Sequence, residues 1–265
     1  MNDIRYQTLT AVSVVLFFGT AYSVLYNTYL DTSNPLLTHL PHPLAKTDYF
    51  ATKSNPLNVY FIKKAWGWTT VSFLLTFLTS PEVIRTKDRI FKYLALTGIW
   101  ILFTNWFFGA PILDRVTVFS GGECIAHLPT GGHITVPHEL CYNHLPLTPQ
   151  THPDLFSTAA LLSPEVQAKL HVVPRLRKGH DMSGHIFLLT MSILFLVDQL
   201  RPSFGQRAYK TWSTVHSWAV AAQIALVAIW FLAEYTTAVY FHSPFEKFTG
   251  YLLGVASFGV SQIFG

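Results

Sequence analysis

Long apolar runs alternate with polar connectors along this chain. Runs at Leu9–Tyr26, Trp66–Thr79, Tyr93–Phe108, Met182–Leu200, Trp212–Ala238 and Phe248–Phe264 predict about six membrane-crossing helices, since a hydrocarbon layer about 30 Å thick needs roughly 20 apolar residues to cross it. The second run is short, so its helix is expected to begin nearer Val59, with Lys63 and Lys64 snorkelling to the interface or facing an aqueous cavity. The first run follows Arg5 and ends in Tyr22 and Tyr26 without a small-residue cleavage site, which reads as a retained signal anchor. Gly109 to Asp181 is too long for a plain connector. It carries Gly-Gly turns at Gly121-Gly122 and Gly131-Gly132 and a short helix expected from Ser163-Pro164-Glu165. The expected fold is all-α: a polytopic membrane bundle with one long loop, the whole of 1–265 forming one domain.

Composition agrees with that pattern, because 50% of residues are hydrophobic and only 12% are charged. The net charge of +4 does not point to nucleic acid, because Lys and Arg lie between apolar runs rather than in a basic tail. Arg85, Lys87, Arg89 and Lys92 in one short connector, and Arg201, Arg207 and Lys210 in another, read as cytosolic. Both termini are then cytosolic and the long loop luminal in an internal membrane. Cys124 and Cys141 share that loop, where they form either a disulfide or two thiols. The tryptophans fall mostly near predicted helix ends, as interfacial rings do.

Chemistry concentrates in two segments. Arg175-Leu-Arg-Lys-Gly-His-Asp-Met-Ser-Gly-His185 runs from a basic loop into the fourth apolar run. Exposed N–H groups at a first helical turn favour an anion, so Ser183, Gly184, Arg175, Arg177 and Lys178 are candidate phosphate-binding residues. His185 is a candidate general acid. Asp181 reads either as the helix N-cap or as an orienting carboxylate. The second segment, Thr236 to Lys247, joins the fifth and sixth runs on the same expected side and carries His242, a candidate nucleophile. Glu246, four residues on, either orients His242 or completes a capping box with Ser243, Pro244 occupying the first helical position. His127, His133, His138, His144 and His152 match no zinc-site spacing, and the chain has no P-loop, GxSxG or HExxH sequence. No metal site is expected.

His180-Asp181-Met182-Ser183-Gly184-His185-Ile186-Phe187-Leu188-Leu189 and Thr237-Ala238-Val239-Tyr240-Phe241-His242 resemble two ordered motifs of the fat storage-inducing transmembrane (FIT) family. Trp106-Phe107-Phe108-Gly109, Asp114-Arg115 and Gly121-Gly122-Glu123-Cys124 resemble the stretch after the third span in fungal-type members. The resemblance implies a multi-pass protein of the endoplasmic reticulum membrane, related to lipid phosphate phosphatases and needing no metal cofactor. It would hydrolyse fatty acyl-CoA to an acyl 4′-phosphopantetheine and adenosine 3′,5′-bisphosphate, and so support lipid-droplet formation and membrane lipid balance. By motif match, His242 is the nucleophile and His185 the acid. The chain departs from the wider phosphatase pattern, because Ala233 to Phe241 contains no Arg or Lys ahead of His242. Arg175, Arg177 and Lys178 either replace that charge or bind headgroups. The rival reading from a different class is a non-enzymatic protein that binds diacylglycerol or triacylglycerol and partitions neutral lipid toward droplets.

Overall fold

A computed structural model describes residues 3–30, 42–104, 110–127, 132–142, 145–154, 156, 171–205 and 212–264. The helix expected at Ser163, the residues Trp106 to Gly109 and the basic pair Arg207 and Lys210 lie outside the described residues. The described chain is mostly helical and divides into two compact units. One comprises Met1–Asp31, Thr38–Ile101 and Met182–Gly265; the other comprises Thr32–Leu37 and Leu102–Asp181.

The first unit is a helical bundle. Its helices are α1 (Ile4–Leu25), α2 (Ala65–Thr79), α3 (Lys87–Thr104, whose last residues run into the second unit), α6 (Gly184–Leu200), α7 (Thr214–Tyr240) and α8 (Pro244–Ser261). Three are long and apolar enough to cross a membrane: α1, α6 with its 3-10 extension to Phe204, and α7, of 22, 21 and 27 residues. The others fall short for visible reasons. α2 has only 15 residues, α3 begins with charged residues, and α8 carries Glu246 and Lys247 in its first turn. Helix α6 is almost wholly buried, its mostly apolar surface broken by Thr190, Ser192, Asp198 and Gln199, which makes it the bundle's centre. α1 and α7 instead expose Phe17, Phe18, Leu25 and Trp218, large apolar side chains suited to lipid. The protein is a multi-pass membrane protein.

Polar side chains fix how the helices run. Arg5 of α1 donates to Gln262 just after α8 at 3.1 Å, Lys92 of α3 donates to both Gln262 and Asp198 of α6 at 3.1 Å, and Thr79 of α2 meets His216 of α7 at 3.0 Å. These contacts gather the starts of α1, α3 and α7 with the ends of α2, α6 and α8. Arg89 is buried here, bonded to the Gln199 side chain at 2.8 Å, so it is a packing residue rather than a free loop charge. The opposite ends meet separately: Thr28, just after α1, donates to Val239 O of α7 at 2.8 Å, and Lys247 of α8 donates to Ser23 of α1 at 2.8 Å. Mid-bundle, Thr190 of α6 donates to Glu234 of α7 at 2.8 Å, giving a buried carboxyl one partner. The six helices therefore alternate in direction.

The second unit departs from an all-α expectation. Besides α4 (Ile112–Phe119) and the single-turn α5 (His138–Tyr142), it contains β1 (Glu123–His127), β2 (His133–Thr135) and β3 (Arg175–Arg177) in the antiparallel order β2-β1-β3. β1 registers Ile125 against Thr135 and Cys124 against Leu176. Cys124 and Cys141 form a disulfide, their Cα atoms 5.8 Å apart. It sits in a small apolar cluster with Ala126, Val136, Leu147, Phe156 and Val172.

Candidate active site

His185 and His242 come together because α6 and α8 approach closely at their N-termini. The N–H of Ser183 donates to the carbonyl of Glu246 at 3.1 Å, tying the residue before α6 to the first turn of α8. Gly250 makes that approach possible, since a Cβ there would lie 2.5 Å from the Ser183 carbonyl oxygen. His185 occupies the first turn of α6, and His242 sits in the two-residue break between α7 and the Ser243 cap of α8.

The break is strained and firmly held. His242 has φ of 61°, a left-handed conformation that few non-glycine residues adopt and that clusters at functional sites. The last carbonyls of α7 need partners, and the segment after α1 supplies them. Leu30 N donates to Tyr240 O at 3.1 Å, and the ring of His42 meets the same oxygen at 2.9 Å. His42 Nδ1 accepts from Leu44 N, so Nε2 carries the proton and donates to Tyr240. Burial holds the His42 imidazole below its ordinary pKa.

Glu246 combines both roles left open by its spacing. The capping box is present: Ser243 N donates to Glu246 Oε2 at 2.8 Å, and Ser243 Oγ accepts from Glu246 N. The same Oε2 lies 3.6 Å from His242 Nδ1, too far for a hydrogen bond but close enough to pair with a protonated ring. Nδ1 makes no hydrogen bond. At α6 the structure corrects one expectation, because Ser183 rather than Asp181 is the N-cap, its hydroxyl accepting from Ile186 N at 3.3 Å. Ser183 is fully buried, and its hydroxyl oxygen serves the helix.

Sequence reasoning missed part of the site's cationic surround. Lys63 and Lys53, together with the ring of His242, act electrostatically on His185. A π-helical turn at Leu57–Phe61 and a 3-10 turn at Ile62–Lys64 run directly into α2, so helical structure begins near Val59 as expected while the regular α-helix starts at Ala65. Such irregular turns are rare and recur at functional sites. Lys53 belongs to the preceding loop, where buried Asn58 donates to its carbonyl at 2.6 Å and Asn55 Oδ1 accepts from Asn58 N at 2.8 Å. Nothing in the local pattern of Lys53 marks it; only the fold brings it near His185. Arg175, Arg177, Lys178 and Asp181 belong to the other unit, where they line a cavity within it. No group of three His, Cys, Asp or Glu among the described residues is arranged to hold a metal ion.

The sequence model described as "Fat storage-inducing transmembrane protein" matches residues 46–221 and 206–261, so the match takes in both histidines and most of the chain. The chain belongs to the FIT family. Similar FIT relatives include the acyl-coenzyme A diphosphatase fit1 of Schizosaccharomyces pombe, 28% identical over 221 residues that cover 82% of this chain and 74% of that protein. The acyl-coenzyme A diphosphatase FITM2 of Xenopus tropicalis is 30% identical over 80% of this chain and 71% of its own length. The human protein of that name is 27% identical, with shares of 79% and 70%. No solved structure matches this FIT chain significantly.

Proposed function

We propose that this FIT protein is a fatty acyl-CoA diphosphatase, using His242 as nucleophile and His185 as general acid. The observation that carries the reading is the joining of the two histidine-bearing turns through Ser183 N–H and Glu246 C=O. The relatives' names, acyl-coenzyme A diphosphatase, supply the substrate class. His242 Nε2 attacks one phosphorus of the diphosphate while Glu246 faces Nδ1 and stabilises the positive charge that develops on the ring. The bridging P–O bond breaks, and His185 donates a proton to the departing oxygen. Water then cleaves the phosphohistidine, so the two products are acyl 4′-phosphopantetheine and adenosine 3′,5′-bisphosphate. Lys63 and Lys53 stand in for the arginine missing ahead of His242, since transferred phosphoryl oxygens need cationic stabilisation. Gly184 allows close backbone approach at the α6 start.

All six helices of the bundle cross the membrane in this reading, with α2, α3 and α8 depending on their neighbours to shelter charge. The basic ends of α1 and α3 face the cytosol and the histidines face the lumen of the endoplasmic reticulum. The Cys124–Cys141 disulfide supports a luminal loop, since such bonds persist in oxidising compartments. Both units act as one functional domain, and hydrolysis supports lipid-droplet formation and membrane lipid balance.

The test is purified protein with oleoyl-CoA and no added metal. His185→Ala and His242→Ala should each lower kcat by at least about a hundredfold; full activity in either variant removes its residue from the mechanism.

A further inference from the structure

The candidate nucleophile lies outside any helix, so its ring is aimed by the residues on either side of it. His242 has a left-handed φ of 61°, a conformation that costs about 1–3 kcal/mol and persists only where the surroundings over-determine it. On one side the Ser243 cap and the first turn of α8 hold the chain. On the other side Tyr240 and Phe241 are held by the segment that follows α1. Leu30 forms a parallel bridge with Phe241, Leu30 N donates to Tyr240 O at 3.1 Å, and Thr28 Oγ1 donates to Val239 O at 2.8 Å. One side chain joins them from 198 residues away in the sequence: His42 Nε2 donates to Tyr240 O at 2.9 Å.

His42 is buried and touches both residues that precede His242, its ring standing edge-on to those of Tyr240 and Phe241 with centroids 6.1 and 5.8 Å away. Its two nitrogens have separate tasks. Nδ1 accepts from Leu44 N at 3.1 Å and so caps the 3-10 turn Pro43–Lys46. That bond leaves the proton on Nε2, which donates to the Tyr240 carbonyl. Together with Leu30 N, His42 occupies both lone pairs of the Tyr240 oxygen, which fixes the orientation of the peptide plane leading into Phe241. The capping task is local, and other N-cap residues perform it. The bond to Tyr240 is the one that reaches the candidate site. Asparagine puts an acceptor where Nδ1 sits but is too short to reach Tyr240, whereas glutamine puts a donor where Nε2 sits and loses the cap.

We propose that His42 is a positioning residue for the reaction: by holding the Tyr240 carbonyl it orients the Phe241-His242 segment and so aims the His242 ring. The inference rests on the reading of His242 as nucleophile. His42 touches no substrate in this account. Losing its bond to Tyr240 removes alignment that counts in the transition state, so kcat falls while KM stays.

The experiment compares His42→Gln and His42→Asn with wild type, using the full chain in detergent and oleoyl-CoA as substrate. His42→Gln, which keeps the donor, should hold kcat within about twofold of wild type. His42→Asn, which keeps the cap, should lower kcat about tenfold to a hundredfold at unchanged KM. A residue that only caps its own turn gives the reverse order, with Asn at wild-type kcat and Gln impaired. That result overturns the proposal, as do equal kcat values in the two variants. Hydrogen exchange read by mass spectrometry supplies an arm independent of turnover. Amides of residues 237–242 should exchange faster in His42→Asn than in wild type, and at the wild-type rate in His42→Gln. That pattern without any wild-type hydrolysis keeps the His42 clamp on the His242 segment and discards the diphosphatase; hydrolysis with wild-type exchange and kcat in His42→Asn does the reverse.

Discussion

The two units are held together by different physical means. In the bundle, a central apolar helix is locked by buried polar contacts between helix ends and by the Gly250–Ser183 approach, and the histidines ride on that framework. In the loop unit, a three-stranded sheet with very short strands has only a small apolar cluster beneath it, and the Cys124–Cys141 bond lies inside that cluster. So small a core needs a covalent tie. The contrast is one of support: packed helices hold the histidine-bearing turns in fixed positions, whereas the loop scaffold is tied by one disulfide.

Removing charge from the bundle site should give the largest effect. Lys63→Gln combined with Lys53→Gln is expected to lower kcat for oleoyl-CoA about a hundredfold or more, with thermal stability in detergent unchanged. A double variant at wild-type kcat would remove both lysines from the proposed site. Replacing both cysteines with serine should cost the loop unit about 2–4 kcal/mol. Limited proteolysis should then open the loop at a temperature where the bundle still resists. Simultaneous loss of both would make the units one cooperative structure.

Gly250→Ala aims at the bundle alone, with an expected cost of about 1–3 kcal/mol from overpacking against Ser183. Its melting temperature should fall and kcat with it, while the disulfide remains formed on a non-reducing gel. The smallest effect concerns His42. Its folded pKa is lower than the unfolded value of 6.5, so its contribution is present above that pH and is lost as pH falls through it, when the unfolded chain takes the proton first. Bundle melting temperature should decline below about pH 6.5, and His42→Gln should flatten that decline.

Much of the bundle was legible in hydropathy, and the misses have local causes. The run Trp212–Ala238 became Thr214–Tyr240, and Ser243-Pro244-Phe245-Glu246 capped α8 as its motif implies, because both signals are contiguous in the chain. Helix α3 starts at Lys87, earlier than Tyr93, since Arg89 and Lys92 find Gln199, Asp198 and Gln262 across the bundle. Sequence cannot reveal those partners. The same applies to His42 against Tyr240 and to Lys53 near His185. Glu234 was visible inside an apolar run, but its partner Thr190 comes from another helix. The sheet escaped notice because β3 pairs with a strand some fifty residues earlier in the chain, and three-residue strands carry almost no periodic signal. The histidine pair was legible as two motifs on one side; what the fold added was the bond between Ser183 and Glu246 that unites them.

The central claim is that His242 carries the phosphoryl group during turnover. Purified protein quenched at neutral pH during oleoyl-CoA hydrolysis, then digested and analysed by mass spectrometry, should yield a phosphorus adduct on the peptide containing His242, absent from the His242→Ala protein. Steady hydrolysis with no adduct on that peptide, together with wild-type turnover by His242→Ala, would contradict the account.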